Sequence, residues 1–543
     1  MATMKEGMSF CVLFFSHPLC INGIGASTER FTIECKNCGE SSRGIRVALY
    51  ILSCFFTLTA LGLVICELLF DTIERNLITK NLVITEDSTS FEILKVETIS
   101  KVEFYLFNLT NAREWEKNGT KPRLRAVGPY VYRRTAKKND MRFIETTCNQ
   151  RFLQHTTFVT YHFEPNGSIG DPKKDSLTMV NFVERTANSM IKQAGSLTTR
   201  ALWYLVPKPL YLNLTADGAM WGHEYNSLAT GKFLGLVGDT KIGLFKQLNN
   251  TVHGPFKYDT GATNISKLGN LVAYKKKTEL DKWGSDYANM LNGTVDVITP
   301  PSVKIGERRY TFSTDLCRSV PLVAKKWVSA KNYPHLKLLD LEMERKVFHS
   351  ADEEPDNAAF HLKVYPIDKY PPNGLLSISP CVDFGIAGDE PLFISLPFFN
   401  QATDEVKNAV IFEDPTEPNL IPRARIDPKT GILLEGEIYY QINIFLSKDV
   451  QGTKNDIYFP LAYVKIEAYA ERESAEQLYQ MVYAFPAVTR KKLRALIGVS
   501  IALAVLLLIA ALILYRRERR HMSVLFEEEW SYEEEISEKK DSF

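Results

Sequence analysis

The sequence predicts a two-pass α-helical membrane protein whose spans enclose one large α+β ectodomain. Three observations carry that prediction. Two long uncharged apolar runs lie near the ends of the 543-residue chain, glycosylation sequons are confined between them, and short strand-like stretches fill most of the interval. Average composition hides this pattern, since 45% hydrophobic and 24% charged residues would suit an ordinary globular chain. A formal net charge of +1 also gives no basic excess with which to bind nucleic acid.

The first run, Val47 to Cys66, has twenty residues and the second, Ala495 to Tyr515, has twenty-one. At ~1.5 Å rise per residue each makes about 30 Å of helix, enough to cross a bilayer core. A cleaved signal peptide would carry its apolar stretch nearer the N-terminus. Arg43 and Arg46 precede the first run while Glu67, Asp71 and Glu74 follow it, so the positive-inside rule places the N-terminus in the cytosol. Arg516, Arg517, Arg519 and Arg520 do the same for the C-terminus, although Arg490, Lys491, Lys492 and Arg494 put as many positives on the other flank. The expected division is a cytoplasmic tail 1–46, a span 47–66, an ectodomain 67–494, a span 495–515 and a cytoplasmic tail 516–543.

Sequons begin at Asn108, Asn118, Asn166, Asn213, Asn249, Asn264 and Asn292, all in the segment placed outside the cytosol. The cysteines divide likewise. Cys11, Cys20, Cys35 and Cys38 fall in the N-terminal tail, Cys54 and Cys66 in the first span, and Cys148, Cys317 and Cys381 on the oxidising side. Three is odd, so at least one external cysteine is unpaired or pairs between chains, and the latter would make a homo-oligomer. Cys35-Lys-Asn-Cys38 has half of a zinc-site spacing without a second pair or a nearby His, so no metal and no cofactor are expected.

Within the ectodomain, Phe104–Leu109, Leu392–Leu396 and Gln441–Leu446 read as strands; the last sets Ile442, Ile444 and Leu446 on one face. Residues 176–206 differ: Met179, Phe182, Val183 and Met190 recur at three- and four-residue spacing, which predicts one or two short helices, stopped by Pro207 and Pro209. The last 28 residues turn acidic at Glu527–Glu529 and Glu533–Glu535 and read as a solvated, unstructured tail. Its final Asp541-Ser542-Phe543 offers a short strand and carboxylate to a cytosolic PDZ-type adaptor.

Enzymatic signatures are missing. There is no Gly-x-Ser-x-Gly elbow and no phosphate-cradling glycine loop, and His223-Glu224 lacks the second His of a zincin because position 227 is Ser. The expected function is therefore not catalytic.

A dispersed set of motifs points elsewhere: Phe104-Tyr-Leu-Phe-Asn-Leu-Thr-Asn111, Gly128-Pro-Tyr-Val-Tyr132, Thr260-Gly261 with Lys267-Leu-Gly269, Asn289-Met-Leu-Asn-Gly-Thr294, Phe312-Ser-Thr-Asp-Leu-Cys-Arg-Ser319, Phe393-Ile-Ser-Leu-Pro397 and Ile426-Asp-Pro-Lys-Thr-Gly431. In that order, between two spans, they resemble the class B scavenger receptors, the family of platelet glycoprotein IV and the lysosomal integral membrane protein. The resemblance implies an irregular antiparallel β-barrel with a helical apex, here about 176–210, and an internal lipid tunnel. It implies a disulfide between Cys317 and Cys381, while Ala288 and Ala359 stand where relatives often carry further cysteines. It also implies basic apical side chains, for which Lys192, Arg200 and Lys208 are the candidates.

The function so implied is a lipid or lipoprotein receptor that binds lipid-bearing or anionic ligands at the apex and passes lipid to the membrane. Its partners would be lipids, fatty acids or lipoprotein particles. Two alternatives use the same layout: a trafficking receptor for a luminal protein, and a two-pass channel subunit, which would be richer in external cysteines. The C-terminal tail holds no acidic dileucine, since Val524-Leu525-Phe526 lacks one, so the plasma membrane is expected ahead of an endosomal or lysosomal membrane.

Overall fold

The computed structural model describes residues 28–146, 150–183, 196, 209–225, 228, 232, 240–360, 370–381, 392–415, 420–448 and 453–540, with side chains from 42 to 531 except 529. The apolar runs lie inside two longer helices, Thr28–Leu82 and Phe485–Lys540. Two units result, one from Met1–Phe70 with Val488–Phe543 and one from Asp71–Ala487.

In the helical unit both helices contain a stretch long and apolar enough to cross a membrane. Large side chains such as Ile51, Phe55, Leu58, Leu506 and Ile513 are exposed, as lipid contact requires, whereas Ser53, Ala60, Ser500, Ala504 and Ala511 are buried. Small residues let the backbones approach, and the Ser53 hydroxyl donates to the Ala504 carbonyl at 2.8 Å. Ion pairs close the two ends. Arg46 meets Glu518 at 2.6 Å, and Glu67 meets Arg490 at 3.3 Å and Arg494 at 2.8 Å. The C-terminal tail corrects one expectation. Rather than being unstructured it continues the helix to Lys540, because residues 516–540 hold no Gly or Pro and many strong helix formers. Cys11, Cys20, Cys148 and Asp541-Ser542-Phe543 lie outside the described residues.

The second unit is built on an eleven-strand path: β1 (Thr98–Leu109), β2 (Arg123–Glu145), β3 (Arg151–Phe163), β4 (Thr251–Asp259), β5 (Leu271–Tyr274), β6 (Arg308–Ser313), β7 (Arg318–Ser329), β8 (Lys337–Met343), β9 (Arg423–Ile426), β10 (Leu433–Leu446) and β11 (Ile457–Tyr469). The order across the sheet is β6-β7-β8-β9-β10-β11-β1-β2-β3-β4-β5, and every neighbouring pair is antiparallel. Each strand therefore pairs with its sequence neighbour, and β11 returns to β1, which curls the meander towards closure. The remaining seam, between β5 and β6, is bridged by a single extended segment. Leu271 N–H donates to the Gly293 carbonyl at 2.9 Å, and Thr294 exchanges backbone hydrogen bonds with Tyr310 (3.1 Å) and Phe312 (2.9 Å). The result is a near-closed antiparallel β-barrel. Gly293 makes the bridge feasible: its φ is +88°, and a Cβ there would lie 2.3 Å from the Tyr310 carbonyl oxygen.

The motif Ile426–Gly431 is the turn joining β9 to β10. Fully buried Asp427 accepts from the Thr430 N–H at 2.9 Å and its hydroxyl at 2.6 Å, and from the Tyr483 hydroxyl. Lys429 pairs with Glu74 at 2.5 Å, so this turn is fastened to the helical segments at both ends of the unit. Residues 176–180 correct a second expectation. Ser176–Val180 is a strand paired with Tyr211–Thr215, because Leu177 and Met179 are buried while Ser176 and Thr178 point away, a two-residue period. Phe182 and Val183 are helical, and of the remaining expected apex only residues 196, 209 and 210 are described.

Candidate functional site

Side chains alternate along strands, so register alone sorts the barrel into two faces. Tyr440 opposes Val464, Phe104 and Tyr130 in turn, and Ile438 opposes Ile466, Val102 and Tyr132. Ser100, Arg134 and Tyr161 form the next row, and Thr157 on β3 faces His253 on β4. Tyr440 and Ile442 line the same cavity as Thr251 and His253, although β10 and β4 are five strands apart in the sheet. Only residues facing inward can meet in this way. Val102, Phe104, Arg134, Tyr161, His253, Ile438, Tyr440 and Ile442 therefore face the lumen.

This cavity measures about 630 Å³. Leu244, Phe245, Ile378, Leu392, Ile394 and Ile442 give it an apolar wall, and Tyr274, His253, Tyr440 and Thr314 add isolated polar atoms. Its rim is exposed and charged, with Lys275, Lys277 and Lys282 against Asp281 and Asp315; Lys277 is paired with Asp281. Cys317 and Cys381, joined as a disulfide with a Cα–Cα distance of 5.7 Å, form part of the same wall. A smaller lumenal cavity of about 190 Å³ lies among Asp296, Arg309, Leu322, Leu341 and Ile426. Ile438, between these regions on β10, is 48% exposed although it faces inward. The lumen therefore holds open space beside an apolar side chain.

Burial sets the protonation of the lumenal groups. It lowers the pKa of His253, against the attraction of Asp315, and raises that of Tyr440 well above the usual phenol range. Tyr274 is pushed up to about 12 for the same reason. At neutral pH these groups are uncharged, and they offer hydrogen bonds without a fixed charge. Among the described residues no cluster of His, Cys, Asp and Glu is arranged to hold a metal ion.

With that geometry in view, the family model described as the CD36 family matches residues 51–515, both apolar runs and nearly all the chain between them. The chain belongs to the CD36 family. It is 28% identical to lysosome membrane protein 2 of Rattus norvegicus over 416 residues, covering 76% of this chain and 82% of that protein. It is 26% identical to scavenger receptor class B member 1 of Bos taurus over 472 residues, covering 83% and 86%. Sensory neuron membrane protein 2 of Manduca sexta is 29% identical over 392 residues, covering 65% and 71%.

Of the residues singled out in the sequence, Lys192, Arg200 and Lys208 lie outside the described residues. Asn118, Asn166, Asn213, Asn264 and Asn292 are exposed, whereas Asn108 and Asn249 are half-buried. The Oδ1 atoms of the latter two accept the backbone N–H groups of Thr178 at 2.8 Å and Tyr161 at 2.9 Å. Sequence reasoning named Ile442, Cys317 and Cys381 but assigned none of them to a lumen. Arg134 and Tyr440 are recognisable only through strand register, and the one available signal was the alternation of Tyr130, Tyr132 and Arg134 within a strand.

Proposed function

We propose that this chain is a scavenger-type receptor that captures lipid-bearing or anionic particles at its apex and passes lipid through the barrel lumen to the membrane. The observation that carries the reading is the 630 Å³ cavity, apolar inside and charged at its rim, enclosed by strands from opposite sides of the barrel. Such a cavity is in the size range of small-molecule sites. Exposing an acyl chain to water costs ~0.8 kcal/mol per CH₂, so an apolar passage removes a large barrier to transfer. The chain has no catalytic role in this reading, both termini are cytosolic and the protein resides in the plasma membrane. Cytosolic termini follow from the arginine flanks, and the outward orientation fits the position of the sequons.

Charge reversal at the apex tests capture. Changing Lys192, Arg200 and Lys208 together to Glu should weaken particle binding to expressing cells, more at low salt where exposed charges are less screened, and should leave surface expression near wild type. Binding equal to wild type would refute the basic apex. If wild-type cells take up no more fluorescent lipid than untransfected cells, a receptor for a luminal protein replaces the lipid reading.

The exposed sequons give a second expected result. Peptide-N-glycosidase should lower the apparent mass in steps that disappear one by one on changing Asn118, Asn166, Asn213, Asn264 and Asn292 to Gln. Mobility unaffected by the enzyme would contradict the external placement of residues 67–494.

A further inference from the structure

Strand β7 outruns its neighbour. β6 begins at Arg308, opposite Val323, and the loop before it reaches only Ala324, whose carbonyl accepts the Gly306 N–H at 2.8 Å. From Lys326 to Ser329 the strand pairs with β8 on one side, and no described strand pairs with the other. That edge exposes Lys325, Lys326 and Trp327, and the adjoining loop exposes Lys304 and Ile305. Trp327 and Ile305 are each 54% exposed. Lysines on an open edge discourage pairing with another chain. A tryptophan with half its surface in water beside an exposed isoleucine has no such explanation. The carboxylates nearby are engaged elsewhere: Glu307 with Arg309 at 2.7 Å, Glu342 with Arg423 at 3.7 Å and Asp340 with Arg425 at 3.3 Å. Lys337, across from Ser329, bonds its hydroxyl at 2.6 Å. Lys304, Lys325, Lys326 and Lys337 make no ion pair with a described residue.

Register fixes which end of the barrel this is. Trp327 opposes Leu339, Leu339 opposes Ile426 and Ile426 opposes Leu433, in the row that runs into the turn 427–431. Lys429 ties that turn to Glu74, and Asp427 ties it to Tyr483. The β7–β8 hairpin packs Tyr333 against Tyr479, with Ile78 in the same apolar cluster. Glu74 stands eight residues past Cys66 on one continuous helix, about 12 Å of rise beyond the first apolar run. The headgroup layer takes up about 5–7 Å of that interval. The remainder is within reach of tryptophan and lysine side chains, which are the ones that settle at a lipid interface.

We propose that the Trp327 edge of the ectodomain is a membrane-docking surface, resting on the phospholipid headgroups of the bilayer that the same chain crosses. Trp327 and Ile305 enter the boundary between headgroups and acyl chains, and Lys304, Lys325, Lys326 and Lys337 meet lipid phosphates. The contact covers the open edge of β7 and holds this end of the barrel at the lipid surface.

The test uses full-length protein in phosphatidylcholine nanodiscs, read by tryptophan fluorescence. The chain has six tryptophans, so the Trp327 signal is wild type minus Trp327→Phe, and Trp115→Phe gives a buried reference. The Trp327 signal should fall by about half or more when the lipid is replaced by phosphatidylcholine brominated near the top of its acyl chains, and aqueous iodide should barely reach it. The Trp115 signal should respond to neither quencher. Changing the four lysines together to Gln should cut the lipid quenching of Trp327 by about half, with glycan maturation unchanged as the check on folding. Unaltered quenching in that variant would overturn the phosphate contacts. A Trp327 signal open to iodide and indifferent to brominated lipid would overturn the docking surface. Protection from iodide without quenching by brominated lipid would overturn it as well, and would assign the edge to a protein partner.

Discussion

Replacing Cys317 or Cys381 with Ser should leave the full-length chain retained in the secretory pathway, with little reaching the cell surface. The bridge closes a loop across 64 positions, worth roughly 4 kcal/mol in the chain-entropy model. Cys317 is buried with Trp283, Phe312, Leu280 and Ala288 in a compact apolar cluster that Cys381 and Ala359 flank. The Trp283 indole donates to the Cys317 carbonyl at 2.7 Å. Losing the bond would loosen this cluster and one wall of the cavity together. Cys148→Ser should be expressed like wild type. Surface biotinylation with glycan-maturation assays measures all three, and normal maturation of the Cys317 variant would contradict the argument.

A loss of similar size should follow from Arg425→Met on the outer face of the barrel. Arg425 bonds Glu435 and Glu437, each at 2.8 Å, and lies 3.3 Å from Asp340, whose side chain is fully buried. Burial works against the charge on Arg425, but its bonds to Glu435 and Glu437 outweigh this and hold its pKa well above the usual value. Burial also pushes Glu437 up, yet Arg425 and the Tyr469 and Tyr439 hydroxyls bring it below its ordinary range. Glu437 therefore contributes stability above the normal carboxylate pKa, lost as pH falls through its lowered folded value. Without Arg425 the sign reverses. Buried carboxylates would then be held above their unfolded pKa, and acidification would relieve the penalty. The variant should lose about 3–5 kcal/mol at pH 7, with a smaller deficit relative to wild type at pH 5. Thermal unfolding in nanodiscs at the two pH values checks this, and a deficit that grows on acidification would contradict it.

How far the sequence discloses the fold depends on the range of the interaction involved. Val47–Cys66 and Ala495–Tyr515 reveal membrane helices because hydropathy acts locally. Gln441–Leu446 reveals a strand because its alternation is intact. Ser176–Val180 misleads, since Met179 belongs both to a two-residue period and to the helical spacing that begins at Phe182, and only pairing with Tyr211–Thr215 decides between them. Barrel closure was not legible from periodicity. It depends on Gly293 and Thr294, whose partners on β5 and β6 are set by long-range register. The lumenal site is hidden for the same reason: Arg134 and Tyr440 lie far apart in the chain, and nothing local shows that both point inward. Ala288 and Ala359 are informative in retrospect. Both belong to the apolar cluster around the Cys317–Cys381 disulfide, in which Trp283 and Phe360 meet edge to face.

Obstructing the lumen tests the central claim most directly. Ile438 faces inward with room beside it, so Ile438→Trp can fill space without overpacking a closed core. Cells expressing this variant should bind labelled lipid particles as wild type does and reach the surface in equal amount, while fluorescent lipid uptake falls to the level of untransfected cells. Undiminished uptake with an obstructed lumen would show that lipid travels by another route and would contradict the account.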